Sequence, residues 1–97
     1  MGNRARFKKI ATQFVVEDVV ATAEYYCSVL GFKLLGYFAD PPVYAMVARD
    51  DVEMHFGRAD GRPVGGSSVE FRRDGFDAYI WVDDIQALFE ELTASGA

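Results

Sequence analysis

Chemistry-bearing side chains in this sequence concentrate in two short apolar stretches. In Val52 to Gly57, VEMHFG, Glu53 and His55 stand two apart, and strand side chains alternate with a period of two, so they share one face. A carboxylate beside an imidazole can ligate a divalent cation, support general-base work, or pair by hydrogen bonding at a cleft wall. On an inward face Glu53 would be costly unless a cation or donor met it. In Phe76 to Val82, FDAYIWV, the same parity groups Asp77, Tyr79 and Trp81. Two aromatic rings beside acidic groups suit a flat or cationic organic ligand through stacking and cation–π contact, whereas packing of Trp81 beneath a partner chain or missing strand is the structural alternative. Gln13, in IATQFVV, adds an amide oxygen able to ligate a hard cation. His55 is the only histidine, a narrow base for metal chemistry, and the single cysteine, Cys27, has no evident catalytic partner and reads as a structural thiol.

These residues need a scaffold, and the segment Ile10 to Phe32 organises it. From Ile10 to Val16 the set Ile10, Thr12, Phe14 and Val16 is the more apolar and should face a core, with Ala11, Gln13 and Val15 opposite. Asp18 is a natural N-cap. Val19, Ala23, Tyr26 and Leu30 then recur at helical spacing with Val29 widening the stripe, and Gly31 can close the helix in the left-handed conformation. Phe32 to Ala39 reads as a strand with a bulge near Gly36, ended by Asp40-Pro41-Pro42. Val43 to Ala48 and Val52 to Gly57 form a hairpin about the tight turn at Arg49-Asp50-Asp51.

Residues 58–75 read as a linker rich in glycine and serine. Its Gly65-Gly66-Ser67-Ser68 lacks the preceding strand and following lysine of a phosphate-binding loop. The 97 residues, 51% hydrophobic and 26% charged, define one domain with room for a real core. A net charge of −5 argues against nucleic acid or an anionic membrane surface as partner, because phosphate binding needs clustered Lys and Arg. The basic stretch Arg4 to Lys9 reads as a solvated tail. A single cysteine permits no intrachain disulfide, and with no apolar run of signal or membrane length the expected location is the cytoplasm.

At Phe76 the opening segment returns. FDAYIWVDDIQALFEELTASGA aligns with IATQFVVEDVVATAEYYCSVLG, placing Val82 on Val16, Asp84 on Asp18, Ala87 on Ala21 and Glu90 on Glu24. The chain therefore reads as two copies of one module, the second ending after its helix. This pairing, together with Tyr-Tyr-x-x-x-Leu-Gly-Phe at the end of the first helix and the strand VEMHFG, resembles the vicinal oxygen chelate superfamily, which includes glyoxalase I, extradiol dioxygenases and bleomycin resistance proteins. The resemblance spans nearly the whole chain. It implies an α+β fold, with a complete βαβββ module at 10–57, a linker at 58–75 and a truncated second module, strand and helix only, at 76–97. Such truncation leaves open strand edges, so a homodimer or a longer parent chain is expected.

In metal-binding members of that superfamily, ligands lie in the first strand of each module, seven residues before the Asp at the helix corner, and at a module's last strand. Those positions are Ala11, Asp77 and Glu53 here. Alanine cannot ligate, so the resemblance implies the bleomycin-resistance-like branch without an intact metal site and with no expected cofactor; a divalent metal, if bound, would use Glu53, His55 and Asp77. The leading expectation is sequestration of a small organic molecule, planar or cationic, at Gln13, Glu53, His55, Asp77, Tyr79 and Trp81. The alternatives are a metal-dependent lyase or dioxygenase acting on vicinal oxygens, and a ligand-free structural module.

Overall fold

Asp18 ends one element and starts the next. Its side chain accepts a hydrogen bond from the Ala21 amide at 3.0 Å while its own backbone stays extended, so the strand β1 (Ala11–Val16) turns directly into helix α1 (Val19–Ser28). The helix closes as expected: Gly31 has a φ of 79°, and the Phe32 amide reaches back to the Tyr26 carbonyl at 3.0 Å. In this computed structural model, which describes residues 3–60 and 78–97, three further strands follow: β2 (Lys33–Phe38), β3 (Tyr44–Arg49) and β4 (Val52–Arg58).

They form one sheet in the order β1-β4-β3-β2, with β1 parallel to β4 and the other pairs antiparallel. This is a βαβββ module. The hairpin register places Arg49 opposite Val52, and Asp50 takes up the positive φ the two-residue turn requires, at 51°. The bulge in β2 falls between Leu34 and Gly36.

Alternation divides the sheet into two faces. Val19 and Ala23 of α1 bury against Ala45, Val47, Met54 and Phe56, and Phe14, Val16 and Tyr26 pack around them. The apolar set of β1 therefore faces the core, except Ile10, which precedes the strand and is exposed. Tyr26 closes on Phe56 at a ring separation of 4.8 Å. The face that α1 does not cover carries three rows across the strands. One is Ala11, Glu53, Ala48 and Lys33; the next is Gln13, His55, Met46 and Gly36; the third is Val15, Gly57, Tyr44 and Phe38.

The second module departs from its expected form. Ala78 to Val82 carry no strand, and Ile80 and Val82, the alternate face to Tyr79 and Trp81, are substantially exposed rather than buried in a core. Among the described residues no strand pairs with them, and β structure is stabilised by such cross-strand pairs. Helix α2 (Ile85–Ser95) forms nevertheless, capped by Asp84 and closed by Gly96 at a φ of 93°. Among the described residues none of its side chains is buried. Arg49 holds it through a two-pronged ion pair with Glu91, at 2.6 and 2.8 Å, while donating to the Leu30 carbonyl at 3.0 Å. Ser95 adds a hydrogen bond from its hydroxyl to the Val29 carbonyl at 2.7 Å.

Candidate functional site

The sheet face opposite α1 carries a chain of polar contacts. His55 Nε2 lies 2.6 Å from Glu53 Oε2, and His55 Nδ1 lies 2.8 Å from the Tyr44 hydroxyl, which is itself 3.3 Å from Gln13 Oε1. Lys9 Nζ donates to the other Glu53 oxygen at 2.6 Å. The Tyr44 and His55 rings meet edge to face, 5.4 Å apart.

Two structural features bring this chain together. The β1/β4 register sets Gln13 directly beside His55. Tyr44 arrives one row away because Gly57 stands opposite it: a Cβ on Gly57 would lie 3.2 Å from Gln13 Nε2 and 3.7 Å from the Tyr44 ring, so its absence lets the two side chains meet above the strand.

The electrostatics run toward Glu53. Hydrogen bonds from Lys9, then His55, hold its carboxyl below the ordinary carboxylate range against the opposing effect of desolvation. Burial first, and the neighbouring Glu53 charge second, push the Tyr44 phenol up, so Tyr44 stays protonated and serves as a hydrogen-bonding group rather than a base. The phenol has one proton for two partners. It serves either Gln13 Oε1 or His55 Nδ1, the second when a neutral His55 donates from Nε2 to Glu53.

Of the residues expected from sequence, Gln13, Glu53 and His55 share this one cluster. Tyr79 and Trp81 lie at the edge of the sheet, tilted against each other with ring centroids 4.9 Å apart, and Trp81 is 83% exposed. Both border a groove of about 300 Å³ lined, besides Glu53, by Ile10, Thr12, Val52 and Met54, which belong to the helix-facing set of the sheet, so the two rings do not join the Gln13–His55 cluster. Trp81 lines a second groove as well, about 560 Å³, between α2 and the first module. Asp77, like the Gly65-to-Ser68 stretch, lies outside the described residues. Sequence reasoning missed Tyr44 and Lys9. The hairpin register, which puts Tyr44 opposite a glycine and diagonal to His55, was the available signal for the first; nothing periodic marks Lys9.

No family model and no curated protein matches the sequence. Solved structures match its shape. A bleomycin-binding protein from bleomycin-producing Streptomyces verticillus, complexed with copper(II)-bleomycin, superposes with a TM-score of 0.67 at 24% identity, over 95% of this chain and 66% of that one. TioX from Micromonospora sp. ML1 gives 0.65 at 21%, over 94% and 74%. A glyoxalase/bleomycin resistance protein/dioxygenase from Nocardioides gives 0.55 at 19%, over 97% and 65%. The fold is that of the vicinal oxygen chelate superfamily. The chain spans about two thirds of the length of the first and third of these structures.

The described residues do not assemble the metal centre that the resemblance implies for metal-binding proteins of this fold. Ala11 puts a methyl group directly opposite Glu53, and both Glu53 oxygens are engaged, one by Lys9 and one by His55. Among the described residues, no three His, Cys, Asp or Glu side chains converge as a metal site would require. No helix among the described residues is long and apolar enough to cross a membrane.

Proposed function

We propose that this chain binds and sequesters a small planar or cationic organic molecule on the uncovered sheet face, without a resident metal, and does so as a homodimer. The observation that carries the reading is the hydrogen-bonded row Gln13–Tyr44–His55–Glu53, a set of ordered polar groups on a face that no helix of the module covers. Few, well-oriented polar groups beside aromatic walls are what fix a ligand's orientation in a binding cleft. The exposed Tyr79 and Trp81 offer a stacking surface at the adjoining groove that Glu53 also borders, and Asp77 a further negative charge. The fold it shares with a protein complexed with copper(II)-bleomycin supports the same reading. The exposed apolar side chains Tyr79, Trp81, Ile85 and Phe89 support a second copy as the cover. The single thiol, Cys27, fits a reducing cytoplasm.

Trp81 is the only tryptophan, so its fluorescence reports on this wall alone. Planar cations should quench it saturably. Charge attraction by Glu53 fades as salt shortens the screening length to about 8 Å, while stacking persists. Glu53→Gln should therefore remove the salt-dependent part of binding and Tyr79→Ala the remainder, with Trp81→Leu as the silent control. No saturable quenching across a varied panel, in folded and dimeric protein, would favour a ligand-free structural module. Stoichiometric metal surviving dialysis would instead favour the lyase or dioxygenase reading.

A further inference from the structure

We infer that His55, Tyr44 and Gln13 form a proton-operated relay: when His55 gains a proton, the Tyr44 hydroxyl turns from His55 to Gln13, and the Gln13 amide reverses the atom it presents to solvent. The relay stands on the geometry of the row, whether or not this face sequesters a ligand.

Each step follows from counting donors. The Glu53 carboxyl is held ionised by hydrogen bonds from Lys9 and His55, and a carboxylate has no proton to give. His55 Nε2, 2.6 Å from it, therefore carries hydrogen in both charge states of the ring, and Nδ1 is the atom that titrates. Bare Nδ1 is an acceptor 2.8 Å from the Tyr44 oxygen, so the phenol donates to it. Only a lone pair of Tyr44 then faces Gln13, which meets it with the N–H end of its amide and turns Oε1 outward. Protonated Nδ1 is a donor instead. The Tyr44 oxygen accepts from it, and the phenol, which burial keeps protonated, sends its hydrogen to Gln13 Oε1 at 3.3 Å, leaving Nε2 outward.

The surroundings allow the amide to turn. Gln13 is exposed on β1, an edge strand of the sheet, and Gly57 nearby lacks the Cβ that would stand 3.2 Å from Nε2. Among the described residues, the charged and titratable groups on this face are Glu53 beside His55 on β4, Lys9 bound to Glu53, Tyr44 of β3 and, two strands from Glu53, Lys33 of β2; β1 contributes only Ala11, Gln13 and Val15. Of these side-chain types, an imidazole is the one that ordinarily changes charge between about pH 8 and pH 5. Gln13 thus offers a carbonyl to a hydrogen-bond donor at the upper end of that range and an N–H to an acceptor at the lower end. On the sequestration reading, a donor held at neutral pH is let go on acidification.

The test is an NMR titration of the full chain, labelled with 15N and 13C, across that range. His55 is the only histidine, and Gln86 on α2, the only other glutamine, serves as the reference. At the alkaline end the imidazole should carry hydrogen on Nε2 alone, and at the acid end on both nitrogens. The Gln13 side-chain amide and Tyr44 Cζ should move with the His55 midpoint while the Gln86 amide does not. Tyr44→Phe should keep the His55 titration and abolish the Gln13 response; the Tyr44 Cζ signal of the native chain keeps the test decisive should that variant not fold. An Nδ1–H tautomer at the alkaline end, a still Gln13 amide or a still Tyr44 Cζ each refutes the relay. A Gln13 response that survives in folded Tyr44→Phe refutes it too, because the field of the imidazolium alone then moves the amide. No ligand enters these measurements, so failure of the relay and failure of sequestration are told apart.

Discussion

Helices α1 and α2 begin alike and end in different environments. Each is capped by an aspartate whose Oδ1 accepts from an amide three residues on, at 3.0 Å in both cases, and each enters from an extended residue. Yet α1 buries Val19 and Ala23 under a sheet, and α2 buries nothing among the described residues. The comparison separates two contributions that are usually fused. Capping and periodicity are local and suffice to set a helix's start and stop; burial needs a surface beneath, which the strands of the first module provide for α1 and no strand among the described residues provides for α2. The polar cluster follows the same division, because Gln13, Tyr44, Glu53 and His55 all lie on the strands of the first module.

The largest effect expected from this asymmetry is at the two phenylalanines. Phe56 is 1% exposed and packs against Phe14 and Tyr26, so Phe56→Ala should cost about 3–5 kcal/mol by chemical denaturation, enough to unfold a domain of this size. Phe89 is 64% exposed, and Phe89→Ala should shift stability by no more than about 0.5 kcal/mol in dilute monomer. A large loss at Phe89 that grows with protein concentration would show that a second copy covers α2, which would sharpen the homodimer proposal. A large loss independent of concentration would break the comparison.

Most of the first module was legible in sequence because its signals are local and agree with one another. Period-two alternation assigned Phe14 and Val16 to the core, Asp18 and Gly31 bracketed the helix, and parity alone put Glu53 beside His55. What was not legible depended on distant partners. The Tyr44 role arises from a glycine across the hairpin, and the Lys9 role from a chain segment with no periodicity. The strand expected at 76–82 is not formed over its described part for the complementary reason: FDAYIWV has the composition of a strand, but strand pairing is a property of two segments, and the described residues supply no partner for it.

The caps give the next, smaller pair of effects. Asp18→Ala and Asp84→Ala remove the same local hydrogen bond and should each cost about 1 kcal/mol of helix stability. Only the first should lower the global melting temperature, because α1 and the sheet unfold together. The second should appear as faster amide hydrogen exchange confined to α2, with the sheet amides unchanged. A drop in global melting for Asp84→Ala would mean that α2 is more tightly coupled to the first module than its lack of buried side chains implies.

The smallest effect, and the one that probes how α2 is held, concerns Glu91. The paired hydrogen bonds from Arg49 hold its carboxyl below the ordinary range, against a lesser opposing effect of desolvation, and the same contact raises the Arg49 guanidinium. A carboxylate with a depressed folded value binds its proton more readily in the unfolded chain. Its stabilisation is therefore complete above the unfolded value of about 4.3 and is lost as pH falls through the lower folded value. Both side chains are partly solvated, so salt should weaken the contact at neutral pH as well. Exchange at α2 amides should accelerate between pH 5 and pH 3, corrected for the intrinsic rate, and Glu91→Gln should remove that acceleration by making α2 loose at every pH. Glu53 is depressed in the same direction by Lys9 and His55, but it lies on the sheet and not on α2, so Glu53→Gln should leave the α2 profile as it is. If instead Glu53→Gln flattens the profile and Glu91→Gln does not, the acid sensitivity of α2 originates on the sheet face, and Arg49 is not what holds the second helix to the first module.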